Sequence, residues 1–550
     1  MITLKNINLS SIDLSSIDLR GIKLGLGGRG GGSSDGFPQL PGDVTRWHFG
    51  GLTNEMMAAM DDPRIEDADH KGRFLSFKNF AWKGMSGVGG YGDENYQTFY
   101  KFTLDDYVFI ASPPGVKHMN FTFRVTGLQP RNKLTLAFFG TTNTVYGTWD
   151  KDGIYTVDAD IVEAEKPTYF YNGYGSTRGE FTIEILPLYP GALVFDGVDD
   201  YGVCENFPIL TKEKGYTVVA LRQWISMGEG ISGLVSNVKN WFNDGAFVLE
   251  YNSNNATNKF VNRPVSFGNV NIEMDLPNNF TYQTSKSYKG VPITTGYFKG
   301  TNSLFVGRLN NIIGNCSNVA IWELVFLDHD ATEEELTKIK DYFVKTYPWL
   351  FFDQAWTVTG KTNEDEDRAT IANITGNGND LVLSNFGFAE GSGYNEEGEY
   401  AGYLVTDGVD DKITSSDFKM GKDFTIVGDW KFIIDENKDC GLVKVPKLYI
   451  YNSKTGLDIY INSNSIKNIL SGIKGLNAVC SDGRVYDCNW NEISVKYGNM
   501  VDINSSFLIA NSGNIFTKMA FKNLGIYNNQ LLSKDDCIKA YNYLQTLKAK

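Results

Sequence analysis

Leu193–Asp200 reads LVFDGVDD and Leu404–Asp411 reads LVTDGVDD, two near-copies whose first residues, 193 and 404, lie 211 positions apart. Each is a short apolar strand running into Asp-Gly, where glycine supplies the positive φ of a tight turn and the later aspartates fall on its solvated side. The spacing is far longer than a solenoid repeat, so it implies two homologous domains. Their ends agree: VAIWELVFLDHDATEEELTKIKDYF, from Val319, aligns with MAFKNLGIYNNQLLSKDDCIKAYNYL, from Met519. Each reads as an alternating strand followed by a short helix, predicted over 333–346 and 534–547. Thr332 with Glu335 makes a capping box, and Ser533 with Asp536 a shorter-armed version of it. Leu336, Ile339 and Phe343 then share one face.

A fainter echo extends the duplication upstream. GKTNEDED from Gly360 and LSNFGFAEGSGY from Leu383 match GLTNEMMA from Gly51 and FKNFAWKGMSGVGGY from Phe77. The first copy therefore opens near residue 50, yet its DGVDD turn arrives only at Asp196, so something is inserted between its halves. The insert, about Tyr96 to Pro190, contains FTFRVTGLQPRNKLTLAFF, DGIYTV and EFTIEILPL, alternating strands that predict an immunoglobulin-like sandwich. The expected organisation is an N-terminal segment 1–24, a linker 25–44, the first part of module 1 at 45–95, the insert at 96–190, the rest of module 1 at 191–350, and module 2 at 351–550.

Residues 1–24 repeat with a period of five: Ile2, Ile7, Ile12, Ile17 and Ile22 are each followed two positions later by Leu4, Leu9, Leu14, Leu19 and Leu24. A lone helix would wind these pairs around its surface, and a lone strand would alternate their face, so neither buries them. The segment is predicted to be an assembly anchor that orders against copies of itself, most simply in a homotrimer, or in a partner's groove. GLGGRGGGSSDG, from Gly25, follows as a flexible tether.

Composition supports a mainly β protein. Aromatics make up 13% of the 550 residues, with 58 glycines and 29 tyrosines, which favours short strands joined by glycine turns. A formal net charge of −14 without a basic stripe argues against nucleic acid as a partner. No run of eighteen apolar residues predicts membrane insertion, and the N-terminus does not read as a secretory signal. The six cysteines, Cys204, Cys316, Cys440, Cys480, Cys488 and Cys537, have no CxxC spacing and no adjoining histidine, so zinc is not expected. Buried free thiols are the plainer reading, with a Cys480–Cys488 pair across a hairpin as the alternative, and maturation in a reducing cytoplasm follows from the former.

The GNGND loop (Gly376 to Asp380), the L-V-x-D-G-V-D-D turn and the late strand before a [ST]-x-x-[DE] helix together resemble the concanavalin A-like, laminin-G-like lectin/glucanase superfamily. The resemblance covers 191–350 and 351–550 well and 45–95 in part. It implies tandem jelly-roll sandwiches, a fold that hosts lectins, hydrolases and inert scaffolds alike. GKTNEDEDRATI, NGNDLVLSNFGF and LVFDGVDDYGVCENFPILTKEKGYTV are similar to proteins encoded by tailed phages of gut Bacteroidetes, including crAss-like phages. That similarity implies a multimeric head-fibre, head-decoration or tail-fibre protein on the virion surface, made in the bacterial cytoplasm. Residues 1–24 would then engage a capsid or tail protein, and the modules would meet a host-surface glycan. A bacterial adhesin and a polysaccharide-degrading enzyme are the alternatives.

Catalytic chemistry finds little support. Glucanases of this superfamily place their carboxylates on alternate positions of one strand. The best match is Glu273, Asp275 and Asn278, where an amide stands in place of the proton donor and Pro277 interrupts the strand. His48, His70, His118 and His329 are scattered, with no nucleophile elbow. No catalytic residue, metal site or cofactor is therefore expected. Calcium at the Asp196, Asp199, Asp200 and Asp407, Asp410, Asp411 sets is the alternative to solvated turns. Sugar binding needs exposed rings beside amides, and Trp149, Tyr171, Asn172, Tyr174, Trp241 and Trp490 offer that chemistry.

Overall fold

The computed structural model describes residues 36–549, apart from 92–98, 103–106, 111–117, 129–132, 139–140, 142, 164–167, 174–179, 227–230, 239–246, 253–258, 263–269, 274–279, 289–290, 293–300, 310–315, 377, 434–439, 446–447, 454–455, 462–463, 467–474, 495–502, 510, 513–514 and 517. The chain divides into Met1–Gln39 and Leu40–Lys550, and every described strand and helix lies in the second unit. The repeats Ile2 to Leu24 lie outside the described residues, as does most of the glycine tether.

The protein is mainly β, with antiparallel sheets stacked as sandwiches. Module 1 pairs two eight-stranded sheets. In the first, the long strand Asn318–Leu327 lies between Thr217–Ser226 and Leu193–Asp196; Gly87–Val88 is at the edge beyond Leu193–Asp196, and Val44–His48 also pairs with the long strand. The second runs in the order Arg64–Glu66, Phe74–Lys78, Tyr201–Cys204, Leu304–Val306, Ile231–Ser236, Val248–Asn252, Lys259–Asn262, Val270–Glu273.

Module 2 reproduces this strand for strand. Met519–Asn528 lies between Phe424–Phe432 and Tyr403–Val405, with Gly393–Asn395 at the edge and Gln354–Thr357 added to the long strand. Its second sheet runs in the same sequence order, from Thr370–Ile371 through Leu381–Ser384, Lys412–Met420, Ile503–Ile509, Cys440–Val445, Leu448–Ser453 and Gly456–Ile461 to Asn464–Ile466. Two short extra strands, Asn511–Ser512 and Ile515–Phe516, have no match in module 1 among the described residues.

Alternation dictates which side of each sheet is buried. In module 1, Ile321, Leu324 and Phe326 point into the sandwich with Trp47; in module 2, Phe521, Leu524 and Ile526 do so with Trp356. Each such side chain contributes about 1.5–3 kcal/mol when fully removed from water. The outer faces carry the helices, Glu333–Thr346 and Lys534–Gln545, close to the predicted spans. The Thr332–Glu335 box is complete in both directions. Ser533 accepts from the Asp536 amide, but the shorter Asp536 carboxylate takes the Ser533 hydroxyl at 2.7 Å. Ile339 and Phe343 are buried as expected, and Leu336 is half-buried.

The insert enters between Gly87–Val88 and Leu193–Asp196, which still pair with each other, Leu193 opposite Val88. In module 2 the matching strands are joined by the short loop 396–402. A hairpin loop has thus been replaced by a domain whose two ends are held together, with the Gly89 amide donating to Ala192 O and the Tyr189 amide to Gly89 O, both at 2.8 Å. The insert is a sandwich of two four-stranded sheets, as the strand pattern predicts. Its strand order is a jelly roll instead of the expected immunoglobulin arrangement. Phe99–Phe102 pairs with Phe181–Ile185, Tyr107–Ile110 with Thr168–Gly173, His118–Thr126 with Gly153–Asp160, and Lys133–Phe138 with Thr144–Trp149. First pairs with last, second with seventh, third with sixth and fourth with fifth, which is one long hairpin rolled so that alternate pairs fall on opposite sheets. Local alternation fixes the face of each strand but not its sheet, which is why the sequence could not separate the two topologies.

Candidate functional site

The duplicated DGVDD turn is the feature the two modules hold most closely in common. Asp196 Oδ1 accepts from the amides of Val198 (2.8 Å) and Asp199 (3.4 Å), and Asp407 Oδ1 accepts from those of Val409 (2.7 Å) and Asp410 (3.4 Å). Gly197 and Gly408 have φ of +80° and +75°, and a Cβ at Gly197 would lie 2.8 Å from Asn318 Cβ. Glycine is thus required twice over, by conformation and by space.

The last aspartate of each turn folds inward. Asp200 is fully buried; its Oδ1 accepts from Ser86 Oγ at 3.0 Å and its Oδ2 from the Asp196 amide at 3.1 Å. Asp411 repeats this with Ser392 Oγ at 3.1 Å and the Asp407 amide at 2.7 Å. Asn79 and Asn385, both in the left-handed region, donate to the carbonyls of Asp199 and Asp410. Asn54 brackets Val88, accepting from its N–H and donating to its C=O, as Asn363 does at Tyr394. The upstream echo therefore has a physical cause: the positive-φ Asn and the Ser are partners of the DGVDD turn, and the Asn of TN holds the edge strand that pairs with the strand leading into it.

Burial, with the charge of Asp196 and Asp199, pushes the Asp200 carboxyl up to about 7. Burial, with Asp407 and Asp410, pushes Asp411 up to about 6. In each turn the three carboxylates come within 4.8 Å of one another. The Asp-Gly turn is as expected, but the solvated side expected for the later aspartates is corrected: Asp199 and Asp410 are exposed, whereas Asp200 and Asp411 are buried because each accepts from a serine hydroxyl and a backbone amide inside. A calcium ion would compete with amides and a hydroxyl for Asp196, Asp200, Asp407 and Asp411.

The proposed sugar-contacting residues separate into three groups. Trp490 is a correction: it is 2% exposed, at φ +59°, with its ring edge-on to Tyr541 at 5.6 Å, wedged under the helix. Trp149 is half-buried and closes the insert's core, 4.9 Å from Phe123 and 6.2 Å from Phe170. Tyr171 is half-buried on the strand Thr168–Gly173, opposite Thr135 and Tyr107. Asn172 follows it on the same strand, its side chain outside the description, and Tyr174 and Trp241 lie outside the described residues. Of the described members, Trp149 is committed to the core of the insert and Trp490 to the packing under the helix of module 2. Of the acidic triad, Glu273 ends the edge strand Val270–Glu273, and Asp275 and Asn278 lie outside the described residues.

One polar cluster was missed from the sequence. Under the helix of module 1, Arg46 (1% exposed) meets Glu323 (0%) at 2.8 Å and Tyr342 Oη at 3.2 Å. Tyr347 Oη donates to Glu323 at 3.0 Å and lies 2.8 Å from His48 Nδ1. Burial and the Glu323 charge hold the Tyr347 phenol well above its usual range. A glutamate inside VAIWELVFL was the available signal, but its partners lie 277 and 275 residues upstream.

No family model matches the chain, and no curated protein does. Solved structures give distant likenesses. A Trypanosoma rangeli sialidase aligns at 9% identity and a TM-score of 0.25 over 86% of this chain and 82% of its own. A botulinum neurotoxin serotype D binding domain aligns at 10% and 0.25, over 62% and 89%. Likenesses this weak carry no argument about fold or activity. Among the described residues no helix is long and apolar enough to cross a membrane.

Proposed function

We propose that this chain is a non-enzymatic display protein of a bacteriophage virion, a head fibre, head decoration or tail fibre. It attaches through residues 1–24 to a capsid or tail protein, most simply as a homotrimer, and holds its lectin-like sandwiches outward toward host-surface glycan. The observation that carries this reading is the strand-for-strand duplication, with the most shared polar residues, Asp196, Asp200, Ser86 and their counterparts, committed to holding a turn. A hydrolase needs carboxylates free to exchange protons with substrate, whereas a repeated rigid module on a tether suits presentation. The pentad repeat and glycine tether ahead of the modules support the same reading.

The test is binding against turnover. Purified protein should be retained on capsular polysaccharide of a Bacteroidetes host and release no oligosaccharide from it. Release that is abolished by Glu273→Gln would overturn the reading.

A further inference from the structure

The docking of the two modules leaves a cleft that neither makes alone. Its walls come from the end of the strand Thr217–Ser226 in module 1 (Gln223 and Ile225), from Ile374 in the loop after Thr370–Ile371 in module 2, and from Thr546, Leu547 and Lys548, which follow the helix Lys534–Gln545. Ile374 and Leu547 are buried, Ile225 is half-buried, and Lys548 is exposed on the open side. The cleft has a volume of about 50 Å³. That is room for about three or four waters and far below the roughly 300–1,000 Å³ of sites that enclose a whole ligand, so it suits one small substituent of a larger molecule.

One polar group at the cleft is incomplete. The Thr546 hydroxyl donates to Tyr543 O at 2.7 Å and accepts from Gln223 Nε2 at 3.3 Å, which fixes the way round of the Gln223 amide. The amide oxygen, Oε1, is then buried with no hydrogen-bond partner among the described residues, on a side chain only 3% exposed. A buried acceptor left without a donor is costly, and a donor carried in by a ligand removes that cost.

The amide belongs to the junction and not to the fold the two modules share. Gln223 lies opposite Ala320 in module 1, and Lys431 lies opposite Ala520 at the matching place in module 2, where it extends over the Tyr403 ring, 4.3 Å from its centre. Away from the junction, the same strand position carries a different chemistry.

A small apolar cleft with one waiting acceptor calls for a methyl group and an N–H donor within a few atoms of each other. An acetamido substituent has both. A sugar hydroxyl brings a donor without apolar surface, and the methyl of a 6-deoxy sugar carries no donor of its own. We propose that the cleft between the modules is a pocket for the acetamido group of an N-acetylhexosamine. The methyl packs against Ile225, Ile374 and Leu547, the N–H donates to Gln223 Oε1, and the sugar ring stays outside, near the Lys548 amino group. In taking a host-surface glycan as the ligand, the proposal rests on the display reading.

The experiment is saturation-transfer difference NMR on the full-length chain, with methyl N-acetyl-β-D-glucosaminide, methyl β-D-glucoside and methyl α-L-fucoside as probes. The acetyl methyl of the first should take up the most saturation, and the other two sugars none. Gln223→Met, which removes the acceptor at nearly constant volume, should weaken binding about three- to tenfold, and Ile225→Trp, which fills the cleft, should abolish it. If Ile225→Trp does not fold, Gln223→Met alone decides. Binding of the fucoside in place of the glucosaminide, or acetyl saturation that neither variant changes, would overturn the pocket. Retention on capsular polysaccharide, measured in parallel, separates this proposal from the display reading. A wild-type chain retained there with no acetyl saturation would overturn the pocket and leave the display reading; acetyl saturation without retention would do the reverse.

Discussion

The helices closing the two modules descend from one pattern but are buried differently. Glu333–Thr346 hides Glu335, Ile339, Tyr342 and Phe343, a stripe suited to one sheet. Lys534–Gln545 hides every residue from Ala540 to Leu544, a run that circles the helix and requires cover on two sides. The second side is module 1 with the end of its insert: Tyr543 meets Trp322 edge-on at 6.0 Å and Gln223 Nε2 donates to Thr546 Oγ1 at 3.3 Å from module 1, and Asn542 Nδ2 donates to Pro187 O of the insert at 3.4 Å. The positions beneath the helices changed with that role. Arg46 and Val325 face each other in module 1, and Ala355 and Gly525 in module 2. Where module 1 has Arg46 and Val325, module 2 has two small residues that let Phe352 and Leu544 close in, Phe352 stacking on Tyr543 at 5.7 Å, and the ion-pair partner Glu323 is matched by the buried, uncharged Asn523. The duplicated fold diverged where its copies touch, and kept its turn chemistry where they do not.

The ion pair is where the two modules should differ most in stability. Glu323→Ala strands the Arg46 guanidinium in the interior and is expected to cost about 3–5 kcal/mol, read as a fall in the urea midpoint. Arg46→Met with Glu323→Leu, which removes both charges, as Ala355 and Asn523 do at the matching positions of module 2, should recover most of that loss. A double variant as unstable as the single one would mean that the pair is not the difference between the modules.

Gly525→Val installs in module 2 the residue module 1 carries. A Cβ there would lie 2.8 Å from the Phe352 ring, so overpacking should cost about 1–3 kcal/mol. Faster amide exchange in Lys534–Gln545 should accompany it. An unchanged midpoint and exchange rate would show that the close approach is not needed.

The two turns should part company in their response to pH. A carboxyl raised in the folded state keeps a proton the unfolded chain has released, so stability falls as pH rises from the unfolded value of 3.8 to the folded one, about 7 for Asp200 and about 6 for Asp411. Between pH 6 and 7 the decline should come chiefly from module 1, at no more than about 1.4 kcal/mol per pH unit. Asp200→Asn should flatten that interval, and Asp411→Asn should leave it. The reverse pattern in pH-resolved urea titrations would refute the assignment.

Much of the fold was legible because its signals are local. Asp-Gly, the Thr332 box and the alternation of VAIWELVFL specify turn, cap and strand within a few residues, and duplication made each visible twice. What was hidden depends on distance or neighbours. Trp490, in an Asn-flanked turn, reads as exposed until the helix is laid over it. The jelly-roll order of the insert rests on pairing between its first and last strands, and Arg46 finds Glu323 only after the chain returns. Of the set expected to contact sugar, the sequence supplied ring chemistry but could not say which rings the cores would claim.

Attachment through the pentad segment is the central expectation, and it can be measured on particles. Five Ile-Leu pairs would give on the order of 15–30 kcal/mol if fully buried, against ordering costs of about 1–2 kcal/mol per residue, so packing shared with other chains should decide the outcome. Deleting residues 1–24 should leave the sandwiches with an unchanged urea midpoint and reduce incorporation into virions to background, measured as copies per purified particle. Truncated protein incorporated at normal copy number would contradict attachment through this segment.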